Sequence, residues 1–161
     1  MSSILAPELR FCKADHKKTG FLSNLYRCSV KYKGKTFNCS EAPYQYSKLK
    51  EEYQNAANWL VSAPMPALIA MAGHALPWWM IREDWKEVKL TIMKEVNMAK
   101  YTQNPSLKAK LLATGNMILV EESSDSYWGN GNRRGKTGGK GCNMLGKVLM
   151  EVRQELRNPR W

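Results

Sequence analysis

The stretch DWKEVKLTIMKEVNMA, residues 84–99, decides the fold class because its apolar side chains recur every three or four residues. This spacing predicts one long helix with one apolar face, formed by Trp85, Val88, Ile92, Val96 and Ala99. Asp84 is a residue type that caps helix N-termini and stands where the helix should begin. An apolar face of this length must pack against other elements, so the rest of the chain should supply them.

Further helices are predicted on both sides of this segment. Asn104-Pro105 has the pattern of a helix start, and Gly115 is a typical stop, so a helix is expected between them. Beyond Asn143, a last amphipathic helix is indicated by Leu145, Val148, Leu149, Val152 and Leu156. Prolines 64, 66 and 77 interrupt residues 55–80, which predicts two or three short helices there.

Strand signals are few and short. Residues 26–32 alternate, residues 33–35 offer a turn, and residues 36–39 can return as the second strand of a hairpin. A further short strand is expected at residues 118–121. With one compact domain expected from 161 residues, the prediction is an α+β fold: a mainly α-helical single domain over residues 1–161 with a small β-sheet.

The charge balance bears on the partner. Lys and Arg total 25 against 14 acidic residues, a formal charge of +11. Such an excess favours a polyanion or a phosphorylated small molecule, and it equally suits a solvated surface that keeps a small protein soluble. Charge alone leaves the two alternatives open.

Location and cofactors are predicted from what the sequence lacks. No basic segment followed by a long apolar run opens the chain, and no stretch reaches the roughly 20 apolar residues of a membrane span. We therefore expect a cytoplasmic protein with no membrane partner.

The four cysteines bear on metals and cofactors. They are Cys12, Cys28, Cys39 and Cys142, and they form no CxxC pair, which favours buried reduced thiols, no metal and no cofactor.

One predicted helix carries a polar stripe. Ser40 can cap it, Pro43 lies in its first turn, and the helix is expected to run from Glu41 to about Tyr53. Glu41, Gln45 and Lys48 then share one face. The helix dipole should keep Glu41 anionic, and Lys48 is a candidate nucleophile if burial makes it neutral. The alternative is the solvated face of an ordinary amphipathic helix.

A second candidate region follows the strand at residues 118–121. Asp125 supplies a carboxylate, Trp128 can stack on a heterocycle or close the core, and Gly129 permits close approach. The glycine-rich stretch from Trp128 to Gly141 should be an exposed loop. Within it, the segment from Gly129 to Thr137 ends in Gly-Lys-Thr, yet Asn130 stands where a P-loop needs its first glycine, so NTP hydrolysis is disfavoured. Phosphate contacts remain reasonable for Arg133, Arg134 and Lys136.

With these residues in view, the chain resembles the NADAR family from about Phe21 to Leu156. The resemblance is carried by short patterns in a fixed order, and these are Phe21-Leu22-Ser23-Asn24, Tyr32-Lys33-Gly34 with Phe37, Glu41-x3-Gln45-x2-Lys48, Trp85 with Met93, Lys100 with Asn104, Leu111 to Gly115, Asp125-x2-Trp128-Gly129, and Asn143-x-Leu145-Gly146 with Met150 and Arg153. No single pattern is specific, but their joint order and spacing are.

The resemblance implies an N-glycosidase acting on ribosylamino substrates, either ADP-ribose attached to guanine in nucleic acid or a ribosylamino intermediate of riboflavin synthesis. It implies Lys48 as a Schiff-base nucleophile, Glu41 as a group that assists ring opening by proton transfer or holds the ribose hydroxyls, and Asp125 as polariser of water or of the base. Substrate contacts are expected at Asn24, Gln45, Trp85, Trp128, Gly129 and Asn143.

Two alternatives stay open at this stage. The first is a hydrolase of a free ribosylamino nucleotide, with the basic residues holding one phosphate. The second is a binding module for ADP-ribose or nucleic acid that lacks turnover. One departure from the family bears on the choice, because the basic stretch from Gly131 to Gly141 is longer than the family's usual link between Trp-Gly and the asparagine.

Overall fold

The computed structural model describes residues 6–132 and 140–158. In chain order these residues form β1 (Glu8–Phe11), β2 (Val30–Tyr32), β3 (Lys35–Phe37), α1 (Glu41–Lys48), α2 (Gln54–Val61), α3 (Pro66–His74), α4 (Trp85–Gln103), α5 (Pro105–Ala113), β4 (Ile118–Glu121) and α6 (Met144–Arg157). Short 3-10 helices lie at Gly20–Leu22, Glu51–Tyr53 and Trp78–Met80. The predicted fold class, mainly helical with little strand, is confirmed.

Contacts along the chain define two compact units. The central unit is Asn24–Asn104, and the terminal unit joins the residues before Asn24 to those after Asn104. A single domain over residues 1–161 stays a prediction.

The central unit contains the predicted hairpin. Strands β2 and β3 are antiparallel, with Val30 opposite Phe37 and Tyr32 opposite Lys35. The two turn residues, Lys33 and Gly34, both have positive φ, 47° and 81°. A two-residue loop with this geometry is a type I′ turn, whose twist matches that of the strands. Strand β2 begins at Val30, so the prediction of a strand from residue 26 was too long at its start.

Helix α4 confirms the long helix of residues 84–99 and extends it to Gln103. Its buried residues lie from residue 92 onward and are Ile92, Met93, Val96, Asn97, Lys100 and Tyr101. The last three carry polar groups. Trp85, Val88 and Ala99 of the predicted face are only half-buried. Asp84 makes no side-chain capping bond, since its carboxylate accepts hydrogen bonds from Arg82 at 2.5 and 2.8 Å.

Helix α1 ends earlier than the predicted Tyr53. Leu49 is extended, with φ −81° and ψ 147°, and pairs with Ile81 in an isolated antiparallel bridge. Burial of Leu49 against its tertiary partners therefore overrides local helix propensity. Residues 54–74 form the two short helices α2 and α3, as the prolines predicted. The core around α1 consists of Phe37, Cys39, Ala42, Leu60 and Ile69.

The terminal unit is built on a pair of strands that the sequence did not fully reveal. Strand β4 was predicted, but its partner β1 was not; they run parallel, with Glu8 beside Ile118. Helix α6 packs against β4 through its predicted apolar side, and Leu145, Val148, Leu149 and Val152 are buried. Gly146 allows this approach, because a Cβ there would lie 2.1 Å from the Leu119 carbonyl oxygen.

Two surface predictions need correction. Cys39 is buried, but Cys12 and Cys142 are exposed, so the expectation of four buried thiols was wrong; all four are free. In the loop after Trp128, Gly129 and Asn130 are buried, although the loop was expected to be exposed. Their backbone groups bond to neighbouring segments, which draws this part of the loop inward. Within residues 6–132 and 140–158, no helix is long and apolar enough to cross a membrane.

Candidate active site

The start of α1 is fixed by Asn24. The Asn24 carbonyl oxygen accepts the Glu41 backbone N–H at 3.1 Å, and its side-chain Oδ1 accepts the Ser40 hydroxyl at 3.1 Å. Ser40 thus binds Asn24 and makes no side-chain capping bond to α1, contrary to the prediction. The first turn of α1 is held from outside the helix, which gives Glu41 a defined position.

The polar stripe of α1 is turned inward. Gln45 Nε2 donates to Glu41 Oε1 at 2.8 Å, and the Lys48 ammonium Nζ donates to the Gly73 carbonyl oxygen of α3 at 2.7 Å. Glu41 is 8% exposed and Gln45 is 2% exposed. A solvated helix face is therefore excluded for these two side chains. Carboxylate, amide and amine lie together against α3.

Burial changes the proton affinity of Glu41. Desolvation raises the pKa of the Glu41 carboxyl, and this effect outweighs hydrogen bonds from Gln45 and Asn24 and the charges of His74 and Lys48, which act in the opposite direction. The helix dipole, which was expected to keep Glu41 anionic, contributes about 1 kcal/mol or less at exposed sites, and desolvation acts against it here. The environment thus makes the Glu41 carboxyl a weaker acid than a carboxyl in water.

The opposite shift occurs at Lys48. Partial burial lowers the pKa of the Lys48 ammonium, and the charge of Glu41 opposes that shift. A lysine nucleophile must first lose its proton, and desolvation is a common way to favour the neutral amine. The two groups of the stripe are thus biased toward a neutral acid and a neutral amine, which is the pairing that acid-assisted amine attack requires.

Gly73 is a site residue that sequence reasoning missed. A Cβ at this position would lie 2.1 Å from Gln45 Oε1, so only glycine lets α3 approach α1 this closely. Gln45 Oε1 is buried and has no hydrogen-bond partner among the described residues. The only signal in the sequence was a glycine inside an apolar helical run, just before His74.

Asn24 and Trp85 both contact residues at or next to α1. Asn24 is buried, its Oδ1 also accepts the Asn97 amide at 3.1 Å, and its Nδ2 donates to Met93 Sδ at 3.0 Å. Trp85 packs on Tyr44, with ring centroids 5.0 Å apart. These contacts position α1, and the substrate contacts of Asn24 and Trp85 stay predictions.

In the terminal unit, Asp125 organises the turn that follows it. Its Oδ1 accepts the backbone N–H groups of Tyr127 at 2.8 Å and Trp128 at 2.7 Å. The Trp128 ring meets the Tyr127 ring edge-on, with centroids 4.9 Å apart. A Cβ at Gly129 would lie 2.0 Å from Ser123 Oγ, so this residue must be small. The catalytic role of Asp125 stays a prediction beside this structural one.

Asn143 links β4 to the start of α6. Its Oδ1 accepts the Glu121 backbone N–H at 2.9 Å, and its Nδ2 donates to the Leu119 carbonyl oxygen at 2.8 Å. Its backbone is left-handed, with φ 49°. Both ends of the amide are thus used by the backbone of β4.

The structure therefore groups the predicted site residues in two sets. Asn24, Glu41, Gln45, Lys48 and Trp85 lie on or beside α1 in the central unit; Asp125, Trp128, Gly129 and Asn143 lie between β4 and α6 in the terminal unit. The phosphate-binding candidates Arg133, Arg134 and Lys136 lie outside the described residues.

Known proteins match the chain over most of its length. N-glycosidase YbiA of Escherichia coli is 37% identical over 138 residues, which cover 85% of this chain and 81% of that protein. A riboflavin biosynthesis protein of Vibrio vulnificus is 32% identical over 97% of this chain, which matches only 40% of that longer protein. The NMR structure of Escherichia coli YbiA superposes with a TM-score of 0.78 at 33% identity, covering 94% of this chain and 86% of YbiA.

The NADAR domain itself matches residues 10–157. The curated relatives matched over most of their length are named N-glycosidases, which confirms the predicted class of enzyme. The fold, the polar stripe of α1 and these similarities agree, and the chain belongs to the NADAR domain family.

Proposed function

We propose that this N-glycosidase removes ADP-ribose from the exocyclic amino group of guanine in nucleic acid, through a Schiff base on Lys48. The observation that carries the proposal is the buried stripe of α1, where burial raises the pKa of Glu41 and lowers the pKa of Lys48 within one helix face. A glycosylamine needs both, because its ribose ring must gain a proton to open and its anomeric carbon must meet a nucleophile.

The first step is ring opening. The Glu41 carboxyl gives its proton to the ring oxygen, the bond between that oxygen and C1 breaks, and the lone pair of the exocyclic nitrogen forms an imine to C1. Neutral Lys48 Nζ then adds to C1. Proton transfer from Nζ to the exocyclic nitrogen lets the C1–N bond break, which frees the guanine amino group and leaves the sugar joined to Lys48 as a Schiff base.

The second step restores the enzyme. Water adds to C1 of the Schiff base, Glu41 as carboxylate accepts the proton that is released, and Lys48 leaves as a neutral amine. The open sugar closes to its ring form in solution. Glu41 thus ends protonated and Lys48 unprotonated, the states that burial favours before the reaction. Gln45, bonded to Glu41 at 2.8 Å, would orient the carboxyl throughout the cycle.

The charge supports a nucleic-acid substrate. A formal charge of +11 on 161 residues favours polyanions, and phosphate contacts are the main sequence-independent source of affinity for nucleic acid.

The second candidate substrate is a free ribosylamino nucleotide. It is supported by the similarity to a riboflavin biosynthesis protein at 32% identity. Both substrates contain the same glycosylamine bond, so the chemistry at Lys48 is common to them.

The test uses an oligonucleotide that carries ADP-ribose on a guanine amino group, with release of the sugar followed by mass. We expect the native chain to release it and Lys48→Ala to release none. Borohydride added during turnover should leave the sugar covalently bound at Lys48. Lys50→Ala is the matched control, because Lys50 lies beyond the end of α1 with its side chain near Glu83, and it should retain activity.

Three results would count against the proposal. Full activity of Lys48→Arg would exclude the Schiff base, because the guanidinium stays protonated. Cleavage of a ribosylamino nucleotide with no cleavage of the oligonucleotide would move the substrate to the small molecule. Oligonucleotide affinity that does not fall between about 50 and 200 mM salt would exclude phosphate contacts as the source of binding.

A further inference from the structure

The segment that follows α1 carries exposed apolar side chains that have no role in the mechanism above. Six large apolar side chains between residues 59 and 79 are exposed; they are Trp59, Met65, Leu68, Met71, Trp78 and Trp79. Trp78 is 80% exposed and Trp79 is 52% exposed. Exposed aromatic side chains grouped in this way are typical of binding surfaces.

The two adjacent tryptophans are held close to Lys48 by the backbone. The Lys50 N–H donates to the Met80 carbonyl oxygen at 2.9 Å, and the Arg82 N–H donates to the Lys48 carbonyl oxygen at 3.0 Å. Between them, Leu49 pairs with Ile81. Trp79 is three residues along the chain from Arg82, the backbone partner of Lys48, and belongs to the 3-10 helix Trp78–Met80, so the two positions are at most about 10 Å apart along the chain.

The ring geometry leaves aromatic faces open. The Trp78 and Trp79 rings meet edge-on, with centroids 5.9 Å apart and an angle of 83° between their planes. In such an arrangement the rings do not cover each other face to face. An exposed indole face is a platform on which any nucleobase can stack, and each stacked base strengthens binding about five- to a hundredfold.

The charge of the chain favours a nucleic acid over other occupants. Residues 64–81 contain no Asp or Glu that would repel a phosphate, the Glu83 carboxylate that follows them lies 4.0 Å from the Lys50 ammonium, and the chain as a whole is strongly basic. A strand that places its modified guanine at Lys48 continues past this site at a spacing of about 3.4 Å per stacked nucleotide. If the tryptophans lie within about 10 Å of Lys48, a base two or three nucleotides from the modified guanine can contact them.

We propose that Trp78 and Trp79 form a stacking subsite for an unpaired nucleobase that flanks the modified guanine in a single-stranded nucleic acid. The inference rests on the proposed function for its substrate, and it adds where the rest of the strand is held. The subsite makes the enzyme prefer an oligonucleotide to an isolated ADP-ribosylated nucleoside, without contributing to the bond-breaking step.

The first experiment measures binding without turnover, using an unmodified 12-nucleotide single strand at fixed salt. We expect the Trp78→Ala, Trp79→Ala double variant to weaken binding about tenfold or more. Trp59→Ala is the matched control, since Trp59 is 76% exposed on α2 and, among the described residues, no backbone hydrogen bond joins it to residues 48–50, so it should change affinity by less than about twofold. Equal affinity of the double variant and the native chain would overturn the proposal.

The second experiment separates the subsite from the catalytic function. The double variant should raise KM for an ADP-ribosylated oligonucleotide and leave kcat/KM for ADP-ribosylated guanosine unchanged. If the native chain cleaves neither substrate, the proposed function fails while the binding assay still decides on the subsite. If the double variant instead abolishes self-association or binding to anionic vesicles, with oligonucleotide affinity intact, the surface serves that partner and the stacking subsite is wrong.

Discussion

Replacing Gly73 by Ala should disturb the α1 stripe through a single added methyl group. The new Cβ would lie 2.1 Å from Gln45 Oε1 and 2.2 Å from the Gln45 amide carbon, well inside contact distance. Either Gln45 swings away and gives up its hydrogen bond to Glu41, or α3 moves off α1. Both responses change the environment of Glu41 and Lys48.

The expected cost follows from these two responses. Leaving a buried polar group without its partner costs about 1–3 kcal/mol, and overpacking costs about the same. Ala recovers about 1 kcal/mol of helix propensity relative to Gly. We therefore expect Gly73→Ala to lower the free energy of unfolding by about 1–2 kcal/mol, and to reduce glycosidase activity by more than the lost stability alone explains.

A double-mutant cycle supplies the control. Gln45→Ala removes the atoms that the new methyl group would meet, so adding Gly73→Ala in that background should stabilise the protein by about 0.5–1 kcal/mol. Urea unfolding followed by tryptophan fluorescence measures all four proteins. The reasoning is refuted if Gly73→Ala costs the same in both backgrounds, or if the single variant matches the native chain.

Three further predictions concern other parts of the molecule. Asp125→Ala should lower the free energy of unfolding by about 1 kcal/mol because two backbone N–H groups lose their acceptor, whereas Asp125→Asn should keep the turn. If Asp125→Asn is stable but inactive in a glycosidase assay, Asp125 has a chemical role; if it is fully active, the role of Asp125 is only structural. The pKa of Glu41 in the folded protein is raised above 4.5, so its contribution to the free energy of unfolding is complete at low pH and is lost as the pH rises through the raised pKa. Urea unfolding at several pH values should show a smaller loss of stability with rising pH for Glu41→Gln than for the native chain. Parallel pH profiles of the two proteins would contradict the burial argument. Arg153 donates hydrogen bonds to Thr114 Oγ1 at 2.7 Å and to the Met117 carbonyl oxygen at 2.9 Å. Arg153→Lys should therefore lower the free energy of unfolding, measured in urea, by about 2 kcal/mol. An unchanged urea midpoint would show that these bonds do not stabilise the protein.

The polar stripe was predictable because helical periodicity alone brings Glu41, Gln45 and Lys48 to one side. Its chemistry was not, because proton affinity depends on which element covers that side. The apolar helix α3 covers it, and the resulting desolvation reverses the effect that the dipole was expected to have on Glu41. Sequence patterns give the direction of a side chain, while the dielectric around it is a tertiary property.

The same limit explains the errors in the fold. The end of α1 was misplaced because Leu49, Lys50 and Glu51 contain no breaker, and the helix stops where Leu49 finds Ile81. The buried side of α4 was only half predicted, since apolar periodicity cannot show that Asn97 and Lys100 are buried too. The pKa of Lys100 is lowered to about 8 by that burial.

The parallel pairing of Glu8–Phe11 with Ile118–Glu121 has a consequence for synthesis on the ribosome. Every residue of the central unit has been added once Asn104 is joined, so this unit can fold while the rest is still being made. Strand β1 is made first but must wait for a partner more than 100 residues later. Adding residues 12–121, from the end of β1 to the end of β4, takes roughly 5 to 20 s at about 5–20 residues per second. During that interval β1 has an open edge, which makes the nascent chain's first strand a natural binding site for chaperones.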